Sequence, residues 1–597
     1  MGGSCALNHV MATTGAHTTV VCVPVVARTP TPHPQRDRDR ESGRPYADHR
    51  RRPTRGDHAD TGQPVMAASP SARPWCTAPT PDAQSSTAMG LSFLRWLGLA
   101  GSLMLAGAGW LGGALPGADL EATPLSVARG TYGPVILGLW LVGTALAAYA
   151  WWSARDRVPS MRWAIGTVSL WLLPFLFVPP MGSRDVYSYA CQGEMFTHGL
   201  DPYRLGVSAL PCTWLDTVAE IWRDTVTPYG PLFLLIAGAA VAVGQSLTGT
   251  IVVFRLVTLA AIVVVAACLP ALARRCGIAP ERAVWVALAG PLIGAHMLAA
   301  PHNDAVMIAL LVAGLFLIVR ADARPIPLLT GGVLLGFAVA VKATAIVVLP
   351  FAVVIAMRRL TVPDRLASAT VPDRPAPLSS GAGPDRPDRW RGLRAEIGPL
   401  ARAAALVGGS SVAALLAVTV ASGLGFGWVP AMRGSTTIIQ FTSPPTAIGM
   451  TLTYAGQALF PGFDAVPAVR AVALLALTTV LVMLFLAALR AADRVRAALR
   501  GAAFGMAALV LLSPVFHPWY LMWPLTLLAA VTVRTSAFMW ITMVAAFSVL
   551  PDGGGLPRFV KFPGAPLMTI LLVVLAVRFI RRRTAVPQAD PQEASFP

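Results

Sequence analysis

Long apolar segments recur along most of this chain of 597 residues and constrain its fold more than any other feature. Most are close to the ~20 residues that a helix needs to cross a bilayer. Because backbone polar groups in a bilayer must be satisfied within the chain, such segments form helices. The sequence therefore predicts an all-α polytopic membrane protein. The segments lie at about 91–112, 133–153, 161–179, 229–272, 281–300, 304–320, 328–341, 343–357, 399–421, 466–489, 501–515, 518–533, 535–550 and 564–580.

The composition agrees with this fold class, since 55% of the residues are hydrophobic and only 13% are charged. The formal net charge of +18 could indicate a nucleic-acid-binding protein. However, the arginines occupy short connections between apolar segments and do not line one helix or surface, as is typical of membrane proteins. We therefore expect membrane lipids, and no nucleic acid, among the partners.

Arginine-rich connections orient the predicted helices, because basic loops stay in the cytoplasm. The segment 229–272 is too long for one crossing and is interrupted at "GQSLTGT", so we expect one crossing plus a re-entrant or interfacial helix there. The scheme predicts about 13–15 transmembrane helices and two cytoplasmic termini. The connections expected inside are 154–162, 274–282, 320–324, 358–402, 490–500 and 578–583. Those expected outside are 113–132, 180–228, 422–465, 551–563 and the turns near 302, 342 and 517.

Composition changes along the chain divide it into five parts. Residues 1–88 are rich in Arg, Asp and Pro without an apolar period, which predicts a disordered tail. Met66 and Met89 are in-frame alternative starts, so part of this tail need not be translated. The other parts are a first transmembrane module at 89–358, a cytoplasmic Pro/Arg-rich linker at 359–398, a second module at 399–582 and a cytoplasmic tail at 583–597.

The seven cysteines form no CxxC or Cys/His pattern of a metal site. Cys191 and Cys212 share the predicted external loop 180–228, where oxidation is permitted. A disulfide bond and two unpaired thiols both fit this spacing.

Ionisable and aromatic side chains gather where the predicted helices meet the outer face. Ionisable groups near the hydrocarbon boundary are costly and mark a functional site by default. The set comprises Arg184, Asp185, Tyr187, Glu194, His198, Asp201, Tyr203 and Arg204 in the first long external loop, His302, Asn303 and Asp304 between two helices, Lys342 at a hairpin tip, and His517 and Trp519 before a late helix.

Each of these signals also has a structural explanation. Asp185 could cap the following helix, and His302-Asn303-Asp304 could form a capped turn. Lys342 could extend to the interface, although the chain has only one other lysine, Lys561. His517 could belong to an interfacial aromatic belt with Trp519.

The blocks "DVYSYACQG", "GLDPY" and "TPYGPLF" between positions 185 and 233 resemble those of GT-C membrane glycosyltransferases. With "HND" at 302–304 and "SPVFHPWYLMWPL" near the C-terminus, they are more narrowly similar to the actinobacterial polyprenol-phosphomannose-dependent α-1,6-mannosyltransferases. The resemblance covers roughly residues 91–582 and departs from the family in the two loop cysteines, the repeated "PDR" of the linker and the long tail. It implies a GT-C-like bundle in the plasma membrane, whose external first loop carries the catalytic acidic residue at Asp185. It also implies a polyprenyl-phosphate-mannose donor and a lipid-anchored mannan acceptor.

An inverting transfer from such a donor needs one base for the acceptor hydroxyl and a cation for the departing phosphate. We expect Asp185 to be the base. The phosphate candidates are Lys342, His302, Arg184 and Arg204, because guanidinium and ammonium groups bind phosphate. Tyr187, Tyr203 and Trp519 are candidates for stacking on sugars or lining a lipid groove. Asp304 and His517 complete the expected substrate-binding set, whereas Glu194 and His198 have no assigned role.

No cofactor is expected, since the donor carries one phosphate rather than a diphosphate. A divalent cation on Asp185, Glu194 and Asp304 is the weaker alternative. A transferase for another polyprenyl-phosphate sugar, such as arabinofuranose, fits the same residues. A transporter or flippase of lipid-linked sugars fits less well, because transporters place polar sites at the bilayer midplane and use inverted repeats.

Overall fold

The computed structural model describes residues 81–584 apart from 118–122, 211, 323, 361–388, 556 and 558–559. Residues 1–80 of the predicted tail, most of the predicted linker and residues 585–597 lie outside the described residues. Within the described part, the regular elements are helices, with one isolated β-bridge between Val549 and Gly555. This confirms the all-α prediction.

The first half contains eleven α-helices and a π-helical turn among the described residues. They are α1 (Pro81–Gly112), α2 (Pro124–Arg129), α3 (Gly133–Ala154), α4 (Met161–Leu172), α5 (Asp185–Thr197), α6 (Pro231–Gly244), α7 (Leu247–Arg275), α8 (Pro280–Leu288), the π-helix Ile293–Ala299, α9 (Asp304–Val319), α10 (Pro325–Val341) and α11 (Leu349–Leu360).

The second half continues with helices of more variable length. They are α12 (Arg389–Ala403), the π-helix Ala404–Gly409, α13 (Ser410–Ser422), α14 (Trp428–Ala431), α15 (Pro444–Gln457), α16 (Val466–Arg490), α17 (Arg494–Leu512), α18 (Met522–Val531), α19 (Ser536–Ala546) and α20 (Lys561–Thr584).

Seven helical stretches in the described part are long and apolar enough to cross a membrane, and α8 with the bent π-helix after it forms an eighth candidate. The chain is thus a multi-pass membrane protein. Seven further apolar helices have only 10–17 residues. The expected 13–15 crossings are reached only if these shorter helices also span the bilayer.

The long apolar segment 229–272 is divided into two helices at the predicted interruption. Gln245 has a left-handed backbone (φ +51°) that ends α6 after 14 residues. Ser246 then caps α7 by accepting a hydrogen bond from Gly249 N (3.1 Å). The interruption thus separates the short α6 from the 29-residue α7, which is long enough to cross the membrane. The re-entrant or interfacial position expected for one helix of this segment stays a prediction.

Three predicted boundaries differ from the structure. Helix α1 begins at Pro81 rather than after residue 88, and α12 begins at Arg389 inside the predicted linker. The stretch from Arg389 to Ile397 lacks proline and contains good helix formers, so it need not remain irregular. The predicted loop 180–228 contains α5, whose 13 residues are mostly buried.

Two buried arrangements fix the helices, one near the basic connections and one near the predicted outer mouth. Trp151 and Trp285 donate reciprocally to each other's backbone carbonyl (3.2 and 2.9 Å), which joins α3 to α8. Arg255 on α7 donates to the carbonyls of Val178 (2.5 Å) and Ala299 (2.8 Å). Since these carbonyls lie where helices are broken, the guanidinium satisfies groups that would otherwise be unpaired in the core.

The arginine pattern divides the connections into a basic group, expected inside, and a second group, expected outside. Contacts between connections agree with this division. In the basic group, Arg275 pairs with Asp493 (2.8 Å) and Arg282 with Asp156 (3.0 Å). In the other group, Ala114 N donates to Pro180 O and Gly182 N to Pro551 O, both at 2.8 Å. The partition of the loops into two ends of the bundle therefore agrees with the packing.

Candidate active site

A cavity of about 230 Å³ opens at the non-basic end of the bundle. Its polar wall includes Asp185, Ser188 and Gln192 from α5, Lys342 after α10, and His517. Apolar side chains form much of the rest, among them Trp222, Val226, Met432, Ile438 and Leu509. Residues more than 300 positions apart in the sequence thus meet in one cleft that combines charge with an apolar wall.

Asp185 is the first residue of α5, and its carboxylate is 17% exposed. The preceding Arg184 occupies the N-cap position, and no side chain caps the helix. The backbone N–H of Asp185 donates to Ser183 Oγ (3.1 Å). The capping explanation therefore does not account for this carboxylate, which faces the cavity instead.

His302 backs Asp185 from inside the protein. Its Nε2 lies 3.6 Å from Asp185 Oδ2. Its Nδ1 lies 2.5 Å from the carbonyl oxygen of His296 and 2.9 Å from that of Ala300. Both neighbours of Nδ1 are acceptors, so Nδ1 carries the hydrogen, and in the neutral ring Nε2 presents its lone pair towards the carboxylate.

Asp304 and Lys342 form a buried ion pair. Lys342 Nζ lies 2.8 Å from Asp304 Oδ1, which also accepts from Trp523 Nε1 (2.6 Å). The ammonium faces the rings of Tyr520 and Trp523 at 4.7 and 5.1 Å from their centroids. Asp304 is fully buried, whereas Lys342 still reaches the cavity. Lys342 therefore sits in a fixed cage rather than extending to an interface.

His517 and Trp519 form a stack that continues to His302. The rings of His517 and Trp519 lie 4.7 Å apart and nearly parallel, at 13°. Trp519 also packs on His302, with ring centroids 4.3 Å apart. Burial lowers the pKa of His517 to about 4, and the nearby Lys342 adds to this effect. His517 is therefore neutral near pH 7 and supplies a polar edge rather than a cation.

Of the nine predicted substrate-binding residues, Lys342 and His517 line the cavity and seven lie outside its lining. His302, Asp304 and Trp519 contact residues of the lining. The other four have different surroundings. Arg184 donates to the carbonyls of Leu115 (3.4 Å) and Thr217 (3.3 Å). Tyr187 donates to Ala114 O, and burial raises the pKa of its phenol to about 12. Tyr203 packs against Leu234 and Trp428. Arg204 is solvent-exposed and pairs with Asp201 (3.3 Å).

The two loop cysteines form a disulfide bond between α5 and the following loop. Cys191 and Cys212 are 21 positions apart, and both are buried. Of the two alternatives that the spacing allowed, the structure thus has the bridge. It anchors the C-terminal half of the helix whose first residue is Asp185.

Comparison with known proteins identifies the family of the chain. The sequence model described as "Alpha-(1->6)-mannopyranosyltransferase, N-terminal domain" matches residues 95–358, and that described as "MptB C-terminal domain" matches 445–578. Alpha-(1->6)-mannopyranosyltransferase A of Mycobacterium tuberculosis is 31% identical over 76% of this chain and 84% of its own length. The chain belongs to the α-(1→6)-mannopyranosyltransferase family.

Two further relatives support the assignment. A probable α-(1→6)-mannopyranosyltransferase of Mycolicibacterium smegmatis is 31% identical over 78% of this chain and 84% of its own length. Alpha-(1->6)-mannopyranosyltransferase A of Corynebacterium glutamicum is 30% identical over 59% of this chain and 68% of its own length. No solved structure matches the chain. The protein is therefore a membrane glycosyltransferase of the mannosyltransferase type.

The mannosyltransferase cavity also contains polar residues that the sequence reasoning missed. Ser188 and Gln192 lie three and seven positions after Asp185, and all three line the cavity. This i, i+3, i+7 spacing places side chains on one helix face. Arg184, Tyr187 and Cys191 lie on a neighbouring face of the same helix. The spacing would have separated the two sets if 180–228 had been treated as containing a helix.

The two other acidic groups considered for a cation have separate partners. Glu194 accepts hydrogen bonds from the Thr213 backbone (3.3 Å) and hydroxyl (3.0 Å), and Asp304 pairs with Lys342. In the described part of the chain, no three His, Cys, Asp or Glu side chains lie together as a metal site would need.

Proposed function

We propose that this mannosyltransferase moves mannose from polyprenyl-phosphate-mannose to a lipid-anchored mannan, forming an α-1,6 linkage at the outer face of the plasma membrane. The observation that carries the proposal is the shared cavity of Asp185 and Lys342, bounded by apolar side chains. A carboxylate, a cation and an apolar wall are what a lipid-linked phosphosugar and a hydroxyl acceptor require.

Asp185 is the general base of the proposed reaction. The acceptor hydroxyl attacks the anomeric carbon while its proton moves to the Asp185 carboxylate, and the C–O bond to the phosphate breaks with inversion. Such a base typically contributes ~10²–10⁴-fold to the rate. The phosphate leaves as an anion, so the step needs no general acid.

His302 supports this role because its Nε2 faces Asp185 Oδ2 and, in the neutral ring, carries a lone pair. A proton that arrives on the carboxylate has a second acceptor in Nε2. The Nδ1 hydrogen bonds to two carbonyls hold the ring in the tautomer that leaves Nε2 free. His302 thus acts through Asp185 as a positioning and proton-sharing residue rather than as a phosphate ligand.

Lys342 is the group that would meet the phosphate. Its pairing with Asp304 and its aromatic neighbours keep the ammonium in one place, and its three N–H donors exceed what the single Asp304 oxygen accepts. A phosphate oxygen at the cavity end of Lys342 would receive a charge-assisted hydrogen bond. The apolar side chains of the same cavity suit the adjoining polyprenyl chain.

The proposed sidedness rests on the arginine distribution. The cavity lies at the end of the bundle opposite the basic connections, which the positive-inside rule assigns to the cytoplasm. Both termini then lie in the cytoplasm, as the sequence predicts. Cysteine labelling of single-cysteine variants in whole cells, with a membrane-impermeant reagent, would test the assignment.

The function is tested with membranes that contain the protein, radiolabelled polyprenyl-phosphate-mannose and short α-1,6-linked mannosides, followed by linkage analysis of the product. We expect an α-1,6-mannoside, formed equally in the presence of EDTA because we propose that no metal is required. Transfer of arabinofuranose instead would overturn the sugar assignment. Movement of the lipid-linked sugar across the bilayer without transfer would overturn the proposed activity.

A further inference from the structure

Ser188 presents an unpaired hydroxyl to the active-site cavity. The residue is 4% exposed and lines the cavity one helical turn after Asp185. Within the described residues, its Oγ has no hydrogen-bond partner. A buried hydroxyl without a partner costs free energy, and its presence indicates that a ligand completes it.

The missing hydrogen bond is unusual for a hydroxyl within a helix. Serine and threonine in helices often return their hydroxyl to the carbonyl four residues earlier. Thr419 does so with Leu415 O (2.8 Å) and Thr542 with Phe538 O (2.7 Å). The corresponding residue for Ser188 is Arg184, which precedes the helix and whose carbonyl accepts from Tyr187 N (3.1 Å).

Other aliphatic hydroxyls of the cavity wall already have protein partners. Thr225 donates to Ile221 O (2.6 Å), and Thr344 lies 3.5 Å from Met307 Sδ. Ser513 accepts from Val515 N (3.4 Å). The Ser188 hydroxyl therefore differs from these three hydroxyls in lacking a protein partner within the described part of the chain.

Gln192 lies one further turn along the face of α5 that carries Asp185 and Ser188. Its Oε1 accepts from the buried Thr227 hydroxyl (3.2 Å), which fixes the amide. Gln192 lines the cavity, and with Oε1 engaged by Thr227 the NH₂ group is the remaining hydrogen-bonding group of the amide. Asp185, Ser188 and Gln192 therefore offer a carboxylate, a hydroxyl and an amide donor along one helix face.

We propose that Ser188 and Gln192 bind hydroxyl groups of the pyranose ring that lies beside Asp185. At 1.5 Å rise per residue, Ser188 lies ~4.5 Å along the helix from the base. This offset suits a hydroxyl of a ring whose reacting end is at Asp185. The inference rests on the proposed sugar transfer and adds the side chains that would recognise the sugar.

The test compares Ser188→Ala with the wild-type protein on mannosyl donors and mannoside acceptors that each lack one hydroxyl. We expect the wild type to lose about three- to tenfold in kcat/KM for one such analogue. The Ser188→Ala protein should lose a similar factor on the full substrate and no more on that analogue. Whether the sensitive analogue is a donor or an acceptor identifies the ring that Ser188 binds.

Two variants separate hydrogen bonding from a change in shape. Ser188→Cys keeps a side chain of similar size but makes only weak hydrogen bonds, so it should behave like Ser188→Ala. Ser513→Ala removes a hydroxyl of the same cavity that is already paired, and it should not change the discrimination between substrates. If Ser188→Ala and the missing hydroxyl of every analogue lower kcat/KM independently of each other, the inference is overturned.

Binding of methyl α-mannosides is followed by thermal stabilisation of the purified protein. It tests without any transfer whether the effects of Ser188→Ala and of a missing sugar hydroxyl depend on each other, which is called the coupling below. If no mannose moves from polyprenyl-phosphate-mannose but the coupling persists in binding, the proposed donor fails and the sugar site stands. If transfer occurs normally and neither readout shows coupling, the sugar site fails and the proposed function stands.

Discussion

The His302 Nε2 atom lies 3.6 Å from the Asp185 carboxylate, and the His302 ring is buried behind the cavity wall that Asp185 helps to form. Since Asp185 is the proposed base, Asp185→Asn should lower kcat by ~10²–10⁴-fold, because an amide cannot take the acceptor proton. The measurement is mannosyl transfer by membranes with matched protein abundance. Glu194→Gln is the control, because this carboxylate of the same helix bonds to Thr213, and it should stay within a few-fold of wild type. Near-normal transfer by Asp185→Asn would refute the assignment.

Replacing His302 by asparagine tests the proton-sharing role. The amide N–H can still donate to the carbonyls that hold Nδ1, but no second acceptor then faces Asp185. We expect kcat to fall on the order of tenfold with little change in the donor KM. An increase in the donor KM alone, with an unchanged kcat, would instead support phosphate binding by His302.

The Lys342–Asp304 pair predicts different consequences for single and double substitutions. Lys342→Met leaves the buried Asp304 charge uncompensated, and breaking a buried pair typically costs ~3–5 kcal/mol. We therefore expect a lower thermal midpoint and weaker donor binding. The double variant Lys342→Met/Asp304→Asn removes both charges, so it should regain stability but not donor affinity. Apparent donor KM and the thermal midpoint in detergent measure the two effects.

Lys342→Arg is the matched control for that series, because it keeps the charge near the cavity. It should retain more donor affinity than Lys342→Met. If the double variant regains donor affinity together with stability, Lys342 is a structural residue only, and the phosphate must bind elsewhere.

The sequence alone was sufficient to predict the all-α membrane fold and which loops lie at the same end of the bundle, because hydropathy and arginine placement report membrane position. It did not predict the direction in which each side chain points. Arg184 and Tyr187 differ from Asp185 and Ser188 by a rotation about the axis of α5, and this rotation determines which pair lines the cavity. The Asp304–Lys342 pairing likewise depends on packing between α9 and the end of α10.

The Cys191–Cys212 bridge should stabilise the region that carries Asp185. For a loop of 21 residues, closure of the unfolded chain is worth ~3 kcal/mol. We expect the Cys191→Ser/Cys212→Ser protein to melt at a lower temperature and to transfer mannose more slowly, because α5 loses its tether. A reducing agent should lower the melting temperature of the wild type and not that of the double variant. Cys268→Ser, which removes a free thiol, should match the wild type, and equal sensitivity of all three proteins to reductant would contradict the prediction.

The burial of His517 predicts that the folded protein loses stability in mild acid. Burial lowers its pKa from 6.5 to about 4 in the folded protein, so below pH 6.5 the unfolded chain binds a proton that the folded chain does not. The free energy of unfolding should therefore fall as the pH decreases from 6.5 towards 4. His517→Gln should reduce this slope in melting temperatures measured in detergent. Asp493→Asn is the comparison. Hydrogen bonding from Arg275 lowers the pKa of Asp493, so the stabilisation that this carboxylate provides is lost only below about pH 3.8. This variant should be less stable by a similar amount at every pH above 4.5, with the wild-type slope intact, and an unchanged slope for His517→Gln would contradict the role assigned to burial.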